Sequence, residues 1–243
     1  MKEQLYTIPV TDAFQSDCEC PLCKMKQDLE QAAIEYTLGP SYMEDDNRAM
    51  TDEMGFCEKH IKDLYQQKNR LGLALILSTH MLKVTKDLKG LSSSTPTPGK
   101  SFLKKKSDAS ALEEYVSKLS GSCFICSRIT NTFDRYIDTI FHLYKKDGTF
   151  SSKITASKGF CTYHYALLYN RAPDFLTKEQ LTQFLDDIQS VYFSNMERMQ
   201  EDIEWFINKF DYRYQNEPWK NAKDALPRTI LKTHSSITPD VKE

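Results

Sequence analysis

Glycine and long apolar runs are both scarce in this chain. Only eight of its 243 residues are glycine, which disfavours a fold rich in tight turns and favours long helices. The most apolar stretch, 71–77, is far shorter than the roughly 20 residues that a membrane helix needs. The N-terminal residues contain no apolar run typical of a signal peptide. These absences predict a cytoplasmic protein with no membrane partner.

An excess of charge of one sign is also missing. The chain has 32 basic and 34 acidic residues, and its formal net charge is -2. A balanced charge gives no general attraction to nucleic acid or to an anionic membrane. The length allows one large domain or two small ones, with a sizeable core in either case.

Familiar catalytic motifs are absent as well. The sequence contains no Gly-rich phosphate loop, no Gly-x-Ser-x-Gly elbow, no His-Glu-x-x-His helix and no Glu-x-x-His motif of di-iron bundles. No catalytic residue is assigned, and the sequence favours a protein that is not an enzyme.

What the chain does contain is one cysteine–histidine pattern, twice. A Cys-x-x-Cys pair is followed by a Gly-Phe-Cys-x-x-His motif, and 33 or 34 residues separate the last cysteine of the pair from the cysteine of that motif. Each glycine stands two residues before a cysteine, where backbone of positive φ or a close approach is expected. In a reducing compartment such cysteines indicate metal or redox chemistry, not disulfides. The two copies are Cys20, Cys23, Gly55, Cys57 and His60, then Cys123, Cys126, Gly159, Cys161 and His164.

Each copy supplies three thiolates and one imidazole, the four ligands that a structural zinc ion takes in a tetrahedron. We therefore expect each half of the chain to close its own site, with two zinc ions per chain. An iron–sulfur cluster is the alternative, although clusters usually have only cysteine ligands. Cys18 has no counterpart in the second half and is a possible accessory thiol, an exchanging ligand or a bystander.

The rest of the sequence is typical of helices. Apolar residues recur at spacings of three and four, and no stretch alternates as a strand would. We predict an all-α helical bundle built from two pseudo-repeated helical halves, each with a Cys/Cys/Cys/His metal site. The main helices are predicted at about 23–36, 58–88, 133–144 and 181–210, with a short one from Pro218 to about Leu226.

A segment rich in serine and proline divides the halves. Residues 91–99 and the basic run Lys104–Lys106 have the composition of a linker. The predicted division is a first metal-binding half (1–90), a flexible linker (91–107), a second half with a long helix (108–234) and a loose tail (235–243).

Several motifs resemble an uncharacterised family of cytoplasmic proteins from Firmicutes. They are Tyr6-Thr-Ile-Pro-Val, Cys18-Glu-Cys-Pro-Leu-Cys23, the Gly-Phe-Cys-x-x-His motif and the run from Asn216 to Leu226. The resemblance covers most of the chain and implies a Gram-positive, often anaerobic source, which keeps iron as an alternative metal. It implies no activity, substrate or partner.

Three functional hypotheses follow. The first is a metal-stabilised helical protein that acts as a binding or adaptor module for a protein or peptide. The alternative is a redox or metal-handling protein with an iron–sulfur or labile zinc–thiolate site, in which Cys18 or an exchangeable ligand makes the first site labile. Nucleic-acid binding through the zinc knuckles and Lys104–Lys106 is weaker, because the net charge is slightly negative.

Overall fold

The computed structural model describes residues 2–92 and 110–238. Within these ranges the chain forms helices and no strand, which confirms the all-α prediction. None of the described helices is both long enough and apolar enough to cross a bilayer. The α-helices are α1 (Lys2–Gln15), α2 (Pro21–Leu38), α3 (Asp45–Met54), α4 (Glu58–Gln66), α5 (Arg70–Ser92), α6 (Ala111–Ser120), α7 (Phe124–Lys146), α8 (Phe150–Ala156), α9 (Thr162–Arg171), α10 (Lys178–Asn208) and α11 (Ala225–His234).

The helices belong to two compact units. The central unit comprises Leu29–Asn131, and the terminal unit combines Met1–Asp28 with Thr132–Glu243. The chain passes from one unit to the other within α2 and again within α7. The predicted halves are continuous stretches of sequence, whereas the units are defined by contacts between residues. The two divisions therefore describe different things, and the predicted boundaries stay a prediction.

Parts of that prediction fall outside the described residues. The predicted linker 91–107 does so except for Leu91 and Ser92, which end α5. The basic run Lys104–Lys106 and the last five residues of the predicted tail also lie outside.

In the central unit, α3 packs along α5 over an apolar core. The core is formed where α2, α4, α5 and the start of α7 turn apolar faces toward one another, as the helical periodicity requires. Burial of these side chains is the main force that holds short helices such as α3 and α4, which would not be stable alone. The buried members are Ala33, Ile34, Leu38, Leu64, Leu73, Ile76, Cys123, Phe124 and Ile125.

The predicted single helix 58–88 is wrong, because the chain breaks between α4 and α5. Gln67 adopts an extended backbone that ends α4. Two residues later, the Asn69 Oδ1 atom accepts a hydrogen bond from the Gly72 N–H at 2.9 Å, which caps the start of α5. The Nδ2 group of Asn69 donates to the Leu38 carbonyl at 2.8 Å and so anchors the break to the end of α2.

In the terminal unit, α10 is the long helix that the sequence predicted, with 31 residues. It begins at a capping box, in which the Thr177 hydroxyl oxygen accepts from the Gln180 N–H and the Gln180 Oε1 atom accepts from the Thr177 N–H. Helices α8, α9 and α11 pack against it. Aromatic rings fill the core, including Phe141 against Phe184 with ring centroids 5.4 Å apart.

The predicted helix from Pro218 to Leu226 is also wrong. Lys209 at the end of α10 donates to the carbonyls of Tyr214 at 2.7 Å and Gln215 at 2.8 Å. The Trp205 indole N–H donates to the Pro218 carbonyl at 3.0 Å. Because side chains take up these carbonyls, the segment stays irregular, and the helix begins only at Ala225.

Both glycines that precede the Cys-x-x-His motifs have positive φ, as the sequence predicted. The values are 58° at Gly55 and 76° at Gly159. A Cβ at Gly159 would lie 3.1 Å from the Val191 carbonyl oxygen, and one at Gly55 would lie 2.9 Å from the His80 ring. Only glycine fits both the backbone and the space here, so these turns fix how the chain enters α4 and α9.

We therefore expect Gly159→Ala to lower the free energy of unfolding by about 1–3 kcal/mol, because alanine is strained at this φ and meets the Val191 backbone. Gly90→Ala is the matched control. Gly90 lies inside α5 with no atom within 4 Å of an added Cβ, so this change should not destabilise the protein. Urea denaturation of both variants checks the difference, and equal stabilities would contradict it.

Candidate metal centres

The eight predicted ligands gather into two tetrads, but the tetrads pair the halves crosswise. Each joins the Cys-x-x-Cys of one half to the Cys-x-x-His of the other, with all four donor atoms within 4.8 Å of one another. The expectation that each half closes its own site is therefore wrong. The terminal tetrad is Cys20, Cys23, Cys161 and His164, and the central tetrad is Cys57, His60, Cys123 and Cys126.

The terminal tetrad lies wholly inside the terminal unit, and all four of its residues are buried. The Cys23 and Cys161 sulfurs are 3.6 Å apart. The Nδ1 atom of His164 lies 3.4 Å from Cys20 Sγ, 3.3 Å from Cys23 Sγ and 3.1 Å from Cys161 Sγ. One imidazole nitrogen thus faces three sulfurs.

The central tetrad repeats this geometry inside the central unit. The Cys57 and Cys126 sulfurs are 3.9 Å apart. The Nδ1 atom of His60 lies 3.2 Å from Cys57 Sγ and 3.3 Å from the sulfurs of Cys123 and Cys126. The central tetrad differs from the terminal one in its exposure to solvent: His60 and Cys123 are buried, Cys57 is half-buried and Cys126 is exposed.

Every ligand stands at the start of a helix. The Cys-x-x-Cys pairs open α2 and α7, and the Cys-x-x-His motifs open α4 and α9. The Cys161 sulfur accepts from the His164 N–H at 3.4 Å, and the Cys123 sulfur accepts from the Cys126 N–H at 3.5 Å. Free backbone N–H groups and the helix dipole favour anionic sulfur at these positions.

The distances fit one ion at the centre of each tetrad. A zinc–sulfur bond of about 2.3 Å places two tetrahedral sulfur ligands about 3.8 Å apart. The observed separations of 3.6 and 3.9 Å bracket that value. An iron–sulfur cluster puts several irons and inorganic sulfides between its cysteines and needs a wider spacing.

Ionisation is uneven in the terminal tetrad. Hydrogen bonds from Cys20 and Cys23 hold the pKa of the Cys161 thiol far below its ordinary value. Burial raises the pKa of Cys20 to about 12, and the bond to Cys161 raises the pKa of Cys23. Without a cation the site therefore favours one thiolate, whereas three together require positive charge at the centre.

The pKa values of the cysteines are also unequal in the central tetrad. Burial raises the pKa of Cys126 to about 12. Burial also acts against ionisation of Cys57, but hydrogen bonds from the His60 N–H and the neighbouring thiols lower the pKa of Cys57 overall. In both tetrads the pKa of the Cys-x-x-His cysteine, Cys57 or Cys161, lies below its ordinary value.

A carboxylate supports His60 from outside the ligand set. The Nε2 atom of His60 lies 2.9 Å from Glu30 Oε1, so an Nε2–H donor leaves Nδ1 free to face the sulfurs. Partial burial raises the pKa of Glu30, but Lys59 and His60 lower it more, so that the pKa of Glu30 lies below its ordinary value. Glu30, His60 and Asp63 form a further cluster of side chains that could hold a metal ion. Lys59 bonds both carboxylates, at 2.6 and 2.9 Å, so an ammonium already balances them.

His164 has no such support among the described residues. Its Nε2 atom is buried and finds no hydrogen-bond partner there. The ring instead packs against Phe133 and Tyr163, with centroids 5.6 and 5.5 Å away. Aromatic packing holds this imidazole, where a carboxylate holds His60.

Lys232 on α11 ties the terminal tetrad together. This side chain is only 1 % exposed. Its ammonium donates to the carbonyl of Glu19 at 2.7 Å and to that of Phe160 at 3.5 Å, and also bonds the Lys158 carbonyl. Glu19 precedes Cys20 and Phe160 precedes Cys161, so one buried cation joins the two ligand segments.

The charges around Lys232 suit an anionic centre. Burial lowers the pKa of Lys232, while the Glu19 carboxylate and the Cys20 sulfur act in the opposite direction. Arg198 also binds Glu19, at 2.5 Å. Ser235 adds a hydroxyl donor 3.0 Å from the Cys161 sulfur. None of Glu30, Lys232 or Ser235 was predicted, because no spacing in the sequence relates them to a ligand.

Two further contacts concern the predicted site residues. Cys18 is outside both tetrads: its sulfur accepts from the Ser16 hydroxyl at 3.2 Å and lies 3.8 Å from the Ala13 carbonyl. An accessory role for Cys18 stays a prediction. In the central unit, the Phe124 N–H donates to the Gly55 carbonyl at 3.0 Å and so joins the segments that carry Cys123 and Cys57.

Comparison with known proteins gives a family but no activity. No curated protein and no solved structure matches this chain. A family of unknown function, DUF6062, has a model that matches residues 1–240. The predicted resemblance to an uncharacterised family is thereby confirmed, and the chain belongs to the family of unknown function DUF6062.

Proposed function

We propose that this protein binds two zinc ions, one in each tetrad, and that the ions stabilise a helical binding module for another protein or peptide. The observation that carries the proposal is the closed ligand set. In each tetrad the measured separations between donor atoms fall between 3.1 and 3.9 Å, around a single point.

The ligand sets favour a structural ion. A catalytic zinc normally keeps one position for water or substrate, whereas three cysteines and a histidine fill all four. The histidine favours zinc over an iron–sulfur cluster, and the spacing favours a single ion. A dication with three thiolates and a neutral imidazole carries one net negative charge, which the buried ammonium of Lys232 would partly offset.

Exposed apolar side chains support the binding role. Leu71, Met81 and Leu82 on α5 are 68 %, 65 % and 65 % exposed. Apolar residues on the outer face of a helix are a common docking surface for a partner helix or peptide. Cytoplasmic location remains a prediction from the sequence, which has no signal-like or membrane-length apolar run. Nucleic-acid binding also remains a prediction, and Lys104–Lys106, on which it partly rests, lie outside the described ranges.

Two double variants test both zinc binding and the crosswise pairing. Cys20→Ser with Cys161→Ser removes two ligands from one tetrad, so we expect one zinc ion per chain to remain. Cys20→Ser with Cys57→Ser removes one ligand from each tetrad, so both ions should be lost. Pairing within each half predicts the reverse pattern. Elemental analysis of proteins purified without added metal gives the stoichiometry.

The control for this test is Cys18→Ser, which removes a cysteine outside both tetrads and should retain two zinc ions. A parent protein with fewer than two bound zinc ions, or with visible absorbance from iron, would overturn the proposed function. Reversed stoichiometries in the two double variants would leave zinc binding intact and overturn the pairing.

Glu30→Gln tests the support of His60. Loss of the carboxylate should weaken zinc binding at the central tetrad by about tenfold, because a metal-bound imidazole loses its anionic acceptor. Only one of the two zinc equivalents should be affected. Competition with a chromophoric chelator at equilibrium measures the change. Glu35→Gln, an exposed position on the same helix, removes the same charge and should leave both affinities unchanged.

A further inference from the structure

The two tetrads have the same ligands but unequal access to solvent. All four residues of the terminal tetrad are buried, whereas Cys126 of the central tetrad is exposed and Cys57 is half-buried. These two sulfurs are the pair 3.9 Å apart, so one edge of the central tetrahedron faces solvent. No edge of the terminal tetrahedron does so.

The exposure of the ligand sulfurs to solvent determines how a metal ion leaves a thiolate site. A donor from solution can displace an exposed ligand directly, while the folded structure stays intact. A buried site must first open locally, and opening costs free energy that rises with the number of buried contacts. At the terminal tetrad, opening would also break the Lys232 bonds to the Glu19 and Phe160 carbonyls and the Ser235 bond to Cys161.

We propose that the central tetrad is an exchange site for zinc, while the terminal tetrad keeps its ion. This rests on the proposed function. The incoming ligand is a thiol: its sulfur forms a new bond to the zinc, and the bond from the zinc to Cys126 breaks. The proton of the incoming thiol passes to the released Cys126 thiolate. No electron is transferred, so the step needs no oxidant.

Chelator challenge of the zinc-loaded full-length protein tests this. After elemental analysis has established two zinc ions per chain, release to 4-(2-pyridylazo)resorcinol is followed by its absorbance, with and without added glutathione as the thiol. We expect one equivalent to leave at least about tenfold faster than the other. Glutathione should accelerate the fast phase and leave the slow phase unchanged.

Two single variants assign the phases. Cys23→Ser removes a terminal ligand, so its remaining zinc should leave in the fast phase. Cys126→Ser removes the exposed central ligand, so its remaining zinc should leave in the slow phase. Cys18→Ser should change neither rate, because Cys18 is outside both tetrads.

Alkylation of the unaltered protein provides a measurement that does not depend on variants. Among the ligand cysteines, N-ethylmaleimide followed by peptide mass mapping should label Cys126 first and Cys57 next. Cys20, Cys23 and Cys161 should react only after the slow zinc has left. This order holds even if a ligand variant fails to fold.

The outcomes separate the two proposals. Two zinc ions that leave at equal rates, or faster loss from the terminal tetrad, would overturn the exchange site and leave zinc binding standing. Labelling of Cys161 before Cys126 would do the same. A parent protein with fewer than two zinc ions before any chelator is added would overturn the proposed function, and the exchange site with it.

Discussion

Three sulfurs and an imidazole can meet at one point only if the chain brings distant segments together, and this requirement governs how the protein is built. The terminal tetrad joins Cys23 to Cys161, which are 138 positions apart, and the central tetrad joins Cys57 to Cys126, 69 positions apart. The smaller span is nested within the larger one. The division into units follows this nesting, because the terminal unit combines residues 1–28 with 132–243 and the central unit is the segment between them.

The same ligand chemistry is supported in two physical ways. Burial of the terminal tetrad removes water from anionic sulfur, so a buried cation, Lys232, and aromatic rings around His164 take over its stabilisation. The central tetrad keeps one edge in water and supports His60 with Glu30. Similar tetrahedra can therefore differ in stability and in exchange, because these properties depend on the surroundings as well as on the ligands.

The sequence predicted what depends on local pattern or on residue chemistry. Unbroken apolar periodicity located α10, and the positive φ of Gly55 and Gly159 followed from their place before a ligand turn. The sequence missed what depends on contacts between distant residues. The break before Asn69 and the irregular segment after Lys209 arise where a side chain takes up a backbone group. The pairing of the ligands was missed because both partitions use the same residues, spacing and number of ions.

The folding chain has the same two possible pairings, since residues 1–90 alone contain three of the ligand cysteines and one of the ligand histidines. The side chains of the tetrads cannot by themselves determine the pairing, because either pairing offers three thiols and one imidazole at each site. The choice must come from contacts that exist in only one of them. The Lys232 ammonium donates to the carbonyls of Glu19 and Phe160, which precede Cys20 and Cys161, and the Phe124 N–H donates to the Gly55 carbonyl near Cys57. Each contact joins one Cys-x-x-Cys segment to the Cys-x-x-His segment of the other half. Specific pairing therefore resides in the backbone around the ligands, where a wrong partner would leave buried polar groups unsatisfied.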